Sequence, residues 1–493
     1  MTTLIPKVDF KNGGTTPTGA VNRTINEKLQ DFVSVKDFGA IGDNSTDNST
    51  AFQNALNSGV TTVFIPNGEY KLNTTVNIPE GVSIIGEGAK TIIRPIAVNA
   101  FLFLASNYIG NVKIANFTVL GDTATQFAFK YESLAAGNRV TGVLFENLTI
   151  GNLLPGYFNG LWYSTFRSCT FYNCYIGLQF VGQNIKCLVD DCRIIKGSTG
   201  TGDSVGVNID GAINPIVTGT YVRGEDIQIR NTLIYGFDIA VNIINVMYSA
   251  INNCDLDYVQ KIGVNATQID GGFTLRDTWI AIDSASTILD SAIKLNNLGT
   301  ERTSNAAISN NKLTGINVNS SNGIYLGSNQ SNVFVENNNL TGFYSGIYVS
   351  GASKLKINGN IVNSINNGLF LFSTTDNSIE NNYFTPDIYV RPKGTGGDVL
   401  RTYFGQNTGS KTTYASGLIV MPSGATTATV TLASLGFQLL PLNVEPILNF
   451  NSTYAATKGA IWGSSDGTNI TVYVTTSVGA NTNIQFQLRI ATL

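Results

Sequence analysis

The stretch "INNCDLDY", residues 251–258, places Asp255 and Asp257 two residues apart. On a strand, alternate side chains leave the same side ~6.5–7 Å apart. That spacing overlaps the separation at which one acid and one base flank a bond with a water between them, ~6.5–9.5 Å. A second acidic pair, Glu225 and Asp226, stands in "RGEDIQ". Crowding of its two like charges would raise one pKa and make an acid of it, although turn chemistry explains both residues equally well. The chain has no histidine. Ser-His-Asp and Cys-His nucleophilic machinery and imidazole-ligated metals are therefore excluded, and acid–base work falls to carboxylates, Lys, Arg or Tyr. The acid-rich run Asp43, Asn44, Asp47 and Asn48 looks like a metal loop, but it lacks the glycine and terminal glutamate of a calcium loop and is expected to hold turns. We expect no metal and no cofactor.

Composition narrows the class. Charged residues are 13 % of 493, about half the roughly 25 % of an average soluble protein. Hydrophobics reach 43 %, with 51 Gly and 12 Pro. This is a globular chain with an amide and hydroxyl surface. A net charge of −3 offers no basic field for nucleic acid or anionic membrane. No apolar run approaches the ~18 residues of a membrane span, and "MTTLIPKVDF" has no signal-peptide core.

What could hold such acids in place is a repeat. The figure apolar–polar–(Asn/Asp/Ser/Gly)–small or amide–polar–apolar recurs eleven times, starting at Ile114, Phe145, Phe166, Val189, Ile229, Ile251, Leu275, Ile308, Val335, Ile357 and Ile379. Steps cluster near 22 residues, with longer ones up to 40. Period-two alternation predicts strands and the third position a bend. A second figure, "IGLQF", "VGVNI", "NGIYL", "SGIYV" and "NGLFL", lies between bends. Short strands repeating every ~22 residues without a leucine consensus predict a parallel β-helix, whose core is buried only by stacking. The fourth position ends in Asn311, Asn338, Asn360 and Asn382, an expected inward amide ladder. Cys169, Cys192 and Cys254 share that column and read as small buried hydrophobes. Five cysteines without a secretion signal predict reduced thiols.

The repeat supplies phase. Its first, fourth and sixth residues point inward, so Asp255 and Asp257 point out around an inward Leu256. Leu233 and Trp279 match Asp255 on neighbouring coils, Tyr235 and Ala281 match Asp257, and Asp283 is outward on the next coil. An exposed Trp beside two acids suits stacking of a flat apolar ring. Two long steps carry insertions that map to loops: one holds Asp203, Asp210, Glu225 and Asp226, the other Asp290, Glu301 and Arg302. Tyr325, Tyr348 and Phe370 form an outward aromatic stripe, which either lines a groove or merely pairs across coils.

"VSVKDFGAIGDNSTDNSTAFQNAL" (33–56), with "VFIPNGEYKL" and "GVSIIGEG", closely resembles the N-terminal signature of the pectate-lyase-like superfamily as found in phage tailspikes. The preceding "TGAVNRTINEKLQDFVSVKDFGA" is similar to the neck joining tailspike bodies to the virion. The match covers residues 20–90, and the coil repeat extends it to about 385. The resemblance implies a right-handed β-helix, a homotrimer, attachment to the phage tail or baseplate through the N-terminal arm, and a bacterial surface polysaccharide (capsule or O-antigen) as partner. It places the protein in the virion tail. The acid pair is then a candidate glycoside hydrolase centre: Asp255 and Asp257 first, Glu225 and Asp226 second. Trp279, Tyr235, Asp283, Asp210, Glu301, Arg302, Tyr325 and Tyr348 would bind sugar. Two alternatives stay open. One is a polysaccharide lyase using Lys261, Arg276 or Tyr258 as base, and the other is a spike that adheres without cutting. The face of Trp279 could equally lie against another subunit.

The expected organisation is all-β: an arm at 1–31, a cap and first coils at 32–110, the β-helix body at 111–385, a linker at 386–410 and a C-terminal antiparallel β-sandwich at 411–493 that trimerises the protein or binds sugar. The cap arises because a stack of coils has a bare end to cover. In "TDNSTAFQNALN", Phe52, Ala55 and Leu56 fall at helical spacing.

Overall fold

A computed structural model describes residues 7–8, 21, 23–29, 33–103, 110–122, 126–132, 138–197, 202–211, 224–283, 290–296, 305–386, 388–390, 399–404 and 407–408, and, further on, strands at 412–421, 427–431, 444–445, 461–465, 469–474 and 482–491. The chain divides into two compact units, Met1–Cys174 with Cys187–Arg193, and Tyr175–Lys186 with Ile194–Leu493.

Both units are parallel β-helix. Each coil contributes a strand to three faces. In the second unit the first face runs through Gln228–Arg230, Val246–Asn252, Asp270–Arg276, Ala306–Ser309, Phe334–Glu336, Lys356–Asn358 and Thr374–Glu380, all parallel, with one register shift between Met247 and Ser249. The second face runs through Leu233–Tyr235, Asp255–Val259, Trp279–Ile282 and Lys312–Thr314. The third runs through Ile176–Val181, Val205–Asp210, Ile239–Ile244, Ile262–Thr267, Ser291–Asn296 and Asn322–Leu326. The last two faces merge in the long bent strands Asn339–Ser350 and Ile361–Phe372.

The bend between first and second face is where the repeat places it. All eleven third-position residues, from Asn116 to Asn381, have φ between 50° and 67°. That left-handed region favours Gly, Asn and Asp, whose side chains tolerate it. A second left-handed corner lies three residues before ten of the eleven figures, at Asn111, Gly142, Tyr163, Lys186, Asp226, Tyr248, Gly272, Asn332, Lys354 and Asp376. The second figure keeps Gly or Ala at one position because the coils close in there. A Cβ on Gly177 would meet the Gly206 carbonyl oxygen at 1.9 Å.

The cores differ along the chain. The first unit is filled by phenylalanine, with Phe101 stacked on Phe129 and Phe145 on Phe166 at 5.5 and 4.3 Å. In the second unit the amide ladder is fully formed. Asn311, Asn338 and Asn360 each donate from Nδ2 to the Oδ1 of the next Asn at 2.8–2.9 Å and to a backbone carbonyl. Asn382 continues the ladder onto Asn407 at 3.0 Å. All five cysteines are buried, and none is in a disulfide.

The N-terminal segment has the short amphipathic helix that the spacing of Phe52, Ala55 and Leu56 predicts. Helix Ser49–Leu56 buries Ala51, Phe52, Ala55 and Leu56. Asp43 accepts from the Thr46 and Ser45 backbone, and Asp47 from the Ser49 hydroxyl, Ser49 N and Asn73 N. These bonds favour the ionised carboxylate, and both Asp43 and Asp47 titrate below the ordinary range. In the arm, Lys7–Val8 pairs antiparallel with Arg23–Thr24, ahead of helix Ile25–Leu29.

The linker reading of 386–410 is corrected. Ile388–Val390 and Val399–Phe404 pair in register with Ile361–Phe372 and Thr374–Glu380, so winding continues past 385. Beyond it, Thr412–Met421 pairs antiparallel with Thr482–Ala491, and Asn469–Val474 with Thr427–Thr431 and Ile461–Ser465. The facing of these sheets as a sandwich lies outside the described residues.

Candidate functional site

The second face of the second unit brings the first acid pair to the surface. Leu256 is 0 % exposed, while Asp255 and Asp257 on either side are half-buried. The inward Leu thus anchors two outward carboxylates. Asp255 sits between Leu233 and Trp279 in register, and Asp257 beside Tyr235. Trp279 is 40 % exposed, with the Lys312 ammonium 5.6 Å from its ring.

One neighbour differs from the phased expectation. Leu256 pairs with Ile280 and Val259 with Ile282, so Asp257 and Tyr258 together oppose Ala281. This is a β-bulge, a device that re-aims side chains and bends a strand. It leaves Ile280, Ala281 and Ile282 consecutively buried. Ala281, between two inward isoleucines, is on the outer side but covered, and an extra residue, Tyr258, faces out at φ 56°.

Burial, and secondarily the Asp257 charge, holds the Asp255 carboxyl above the ordinary carboxylate range. Its Oδ1 is buried with no hydrogen-bond partner, so neither a donor nor a cation stabilises the anion there. Asp257 Oδ1 accepts from the Tyr258 backbone N–H at 2.8 Å. Tyr235 stacks on Tyr258 at 5.1 Å; burial, then Tyr258, Asp257 and Asp283, raise the Tyr235 phenol pKa. Asp283 accepts from Gln260 Nε2. The structure thus unites Asp255, Asp257, Tyr235, Trp279 and Asp283.

The remaining candidates lie elsewhere. Glu225 and Asp226 are on the first face, in register with Met247 for Glu225. Asp226 occupies the second left-handed corner at φ 53° and accepts from Gln228 Nε2, so turn geometry accounts for it. Asp203 pairs with Lys261 at 2.8 Å, and Asp290 with Lys294. Asp210 ends a third-face strand. Tyr325, Tyr348 and Phe370 stack on the third face at 5.6 and 4.5 Å. Glu301 and Arg302 lie outside the described residues. Among the described residues, no group of three or more Cys, Asp or Glu is placed to hold a metal, and no helix is long and apolar enough to cross a membrane.

Residues 32–147 match the family described as rhamnogalacturonase A/epimerase, pectate lyase-like. The chain is 28 % identical over 351 residues to the tail spike protein of Shigella phage Sf6, which covers 67 % of this chain and 55 % of that one. It is 34 % identical over 109 residues to the pre-neck appendage protein of Bacillus phage B103, or 21 % of this chain and 13 % of that one. The chain thus spans about half the length of the first relative and a small part of the second. Among solved structures, the tailspike protein of E. coli bacteriophage HK620 in complex with pentasaccharide superposes with a TM-score of 0.56 at 12 % identity, covering 99 % of this chain and 97 % of that one. A variant of the same tailspike, also with pentasaccharide, reaches 0.60 at 12 % identity, covering 98 % and 96 %.

Proposed function

We propose that this chain, a phage tailspike of the parallel β-helix type by fold and sequence kinship, binds a host surface polysaccharide and hydrolyses it at Asp255 and Asp257. The observation that carries the reading is Asp255 itself, an outward acid with an unpartnered buried oxygen and a raised pKa one alternate position from a second carboxylate. Such a group keeps its proton where a solvated acid has lost it. Asp255 donates that proton to the glycosidic oxygen as the bond to the anomeric carbon breaks. Asp257 takes a proton from a water that attacks the same carbon from the other side. The products are two shorter chains, one with a new reducing end, and a proton returned from Asp257 to Asp255 through solvent resets the pair. Trp279, beside Asp255, supplies a stacking surface.

A lyase needs a neutral base. Hydrogen bonding to Asp203, and the Asp203 charge, push the Lys261 pKa up, which disfavours it as that base. Arg276 hydrogen-bonds Asn252 at the end of a first-face strand. The N-terminal arm attaching to the phage tail, and assembly as a homotrimer, belong to the same proposal; both are supported by the kinship to tail proteins.

Product analysis tests it. Cleavage of polysaccharide should yield new reducing ends without the ultraviolet absorbance of an unsaturated sugar, and Asp255→Asn and Asp257→Asn should each lower turnover by about 10²–10⁴-fold. An unsaturated product would replace hydrolase with lyase. Full activity in both variants would remove the site and leave the fold untouched.

A further inference from the structure

Three tyrosines among the described residues adopt left-handed backbone: Tyr163, Tyr248 and Tyr258, with φ of 51°, 55° and 56°. The other non-glycine residues in that region are Asn, Asp, Ser, Lys, Gln and Ala. A bulky side chain there is a true outlier, and such outliers persist at functional positions. All three are roughly half exposed, at 56, 50 and 45 %, so core packing does not account for them. Tyr248 has a local partner, its ring lying over Gly271, where a Cβ would come within 2.7 Å.

Tyr258 is different because of where it stands. It follows Asp257 directly, inside the bulge, and its backbone N–H is the donor to that carboxylate. The corresponding corner one coil earlier is made by Gly236 at φ 85°, which meets the same backbone demand without strain. The coil that carries the acids instead uses an aromatic. Its ring is presented to solvent from a seat on Tyr235, 5.1 Å away and 28° from parallel. Trp279 stands on the following coil beside Asp255, and Tyr235 on the preceding one beside Asp257. Aromatic surfaces therefore lie on both sides of the acid pair, two coil rises or ~10 Å apart.

We propose that Tyr258, seated on Tyr235, is a substrate-positioning residue. Its ring stacks on a sugar of the polysaccharide on the side of the cleaved bond opposite Trp279. The inference rests on the hydrolase reading for the identity of the ligand, and its test separates the two.

The probes are purified O-antigen polysaccharides from a panel of Shigella and E. coli strains, hosts of the related phages. Binding is measured in the Asp255→Asn background and steady-state kinetics in the native background, for Tyr258→Gly and Tyr258→Phe. Glycine relieves the backbone strain, so Tyr258→Gly should keep its Tm within about 2 °C of the parent or above it. It should still weaken binding and raise KM by about tenfold, the order of one lost stacking contact, while kcat changes far less. Tyr258→Phe should restore both. Tight binding by the glycine variant overturns the proposal, as does an equal loss in Tyr258→Phe or a large fall in Tm. Polysaccharide that is bound but never cut by the native protein, with binding still lost in Tyr258→Gly, sinks the hydrolase and keeps the platform. A native protein that neither binds nor cuts any member of the panel sinks both.

Discussion

The coils from Ile229 to Ile282 and those from Ile308 to Phe384 are written in the same figure and bend at the same left-handed residue, yet they are finished differently. In the later coils the column behind the bend is a continuous amide ladder, buried and fully bonded. In the earlier coils it is Thr232, Cys254 and Thr278. There Cys254 Sγ reaches backbone carbonyls at 3.3 and 3.5 Å, and Thr278 N–H closes the ladder's end on Asn311 Oδ1. The later strands run long through two faces and shift register at the corner 341–345. The earlier ones carry a bulge in the middle of the acid strand. Where the stack is most regular its buried amides satisfy each other, whereas in the bulged coil Asp255 keeps a buried Oδ1 with no hydrogen-bond partner. The irregular coils are the ones to which the proposal assigns the chemistry.

Breaking the ladder should have the largest effect on stability. Asn360 Oδ1 accepts from both the backbone and the side chain of Asn338, and its own Nδ2 serves Asn382 and the Val335 carbonyl. Asn360→Leu leaves these buried groups unpaired, at a cost of about 2–4 kcal/mol, read as a lowered denaturant midpoint. Cys254→Ala, at the same place in an acid-bearing coil, should cost about 1–2 kcal/mol, the lost packing of one small buried group. If the two variants fell equally, the contrast between the two stretches would be wrong.

A smaller effect is expected at Trp279. With 40 % of its surface exposed and Lys312 over the ring, Trp279→Ala should shift stability by less than about 1 kcal/mol. Polysaccharide binding, measured by calorimetry, should weaken about tenfold. A loss of trimer in sedimentation, with binding retained by what remains, would instead assign this face to a subunit contact.

How much of this was legible in the residues follows from the same contrast. The bend was readable because its left-handed backbone restricts the third position to Asn, Asp, Ser or Gly, and the inward Leu256 because period-two alternation survives through "CDLD". The second corner is hidden, since residues as unlike as Asn111, Tyr163, Lys186 and Asp226 hold its left-handed backbone, so no one residue type marks it, and Asp226 reads as an acid candidate as readily as a turn residue. The bulge was invisible too. "DLDYV" reads as plain alternation, and only the pairing of Val259 with Ile282 shows that one residue is extra. The coil after residue 385 reads as a linker in the sequence because Pro386, Pro392 and several glycines interrupt it. Yet Phe404 and Asn407 repeat the first and fourth places of the figure, and Asn407 completes the ladder.

The smallest effect is also the most diagnostic, because its sign is unusual. Removing an acid from an ordinary ion pair costs stability. In the regular coils Glu336 pairs with Lys356 at 2.8 Å, and Glu336→Gln should lose at most about 1 kcal/mol. Asp255 should do the opposite. Burial and Asp257 hold its folded pKa above the unfolded value of 3.8, so between those values the folded state keeps a proton that the unfolded chain releases. Stability therefore falls as pH rises through that window, and above it the ionised carboxylate is a net burden. Asp255→Asn removes the burden, so its Tm should exceed the parent's at pH 7, by the equivalent of less than about 1 kcal/mol given its partial exposure. The advantage should shrink toward zero as pH drops to the ordinary carboxylate range. A melting series from pH 4 to 8 reads this directly. A Tm for Asp255→Asn that lies below the parent's at pH 7, or a difference that does not change with pH, would mean that the anion is stabilised in the fold, and with that the reason for choosing Asp255 as the proton donor is gone.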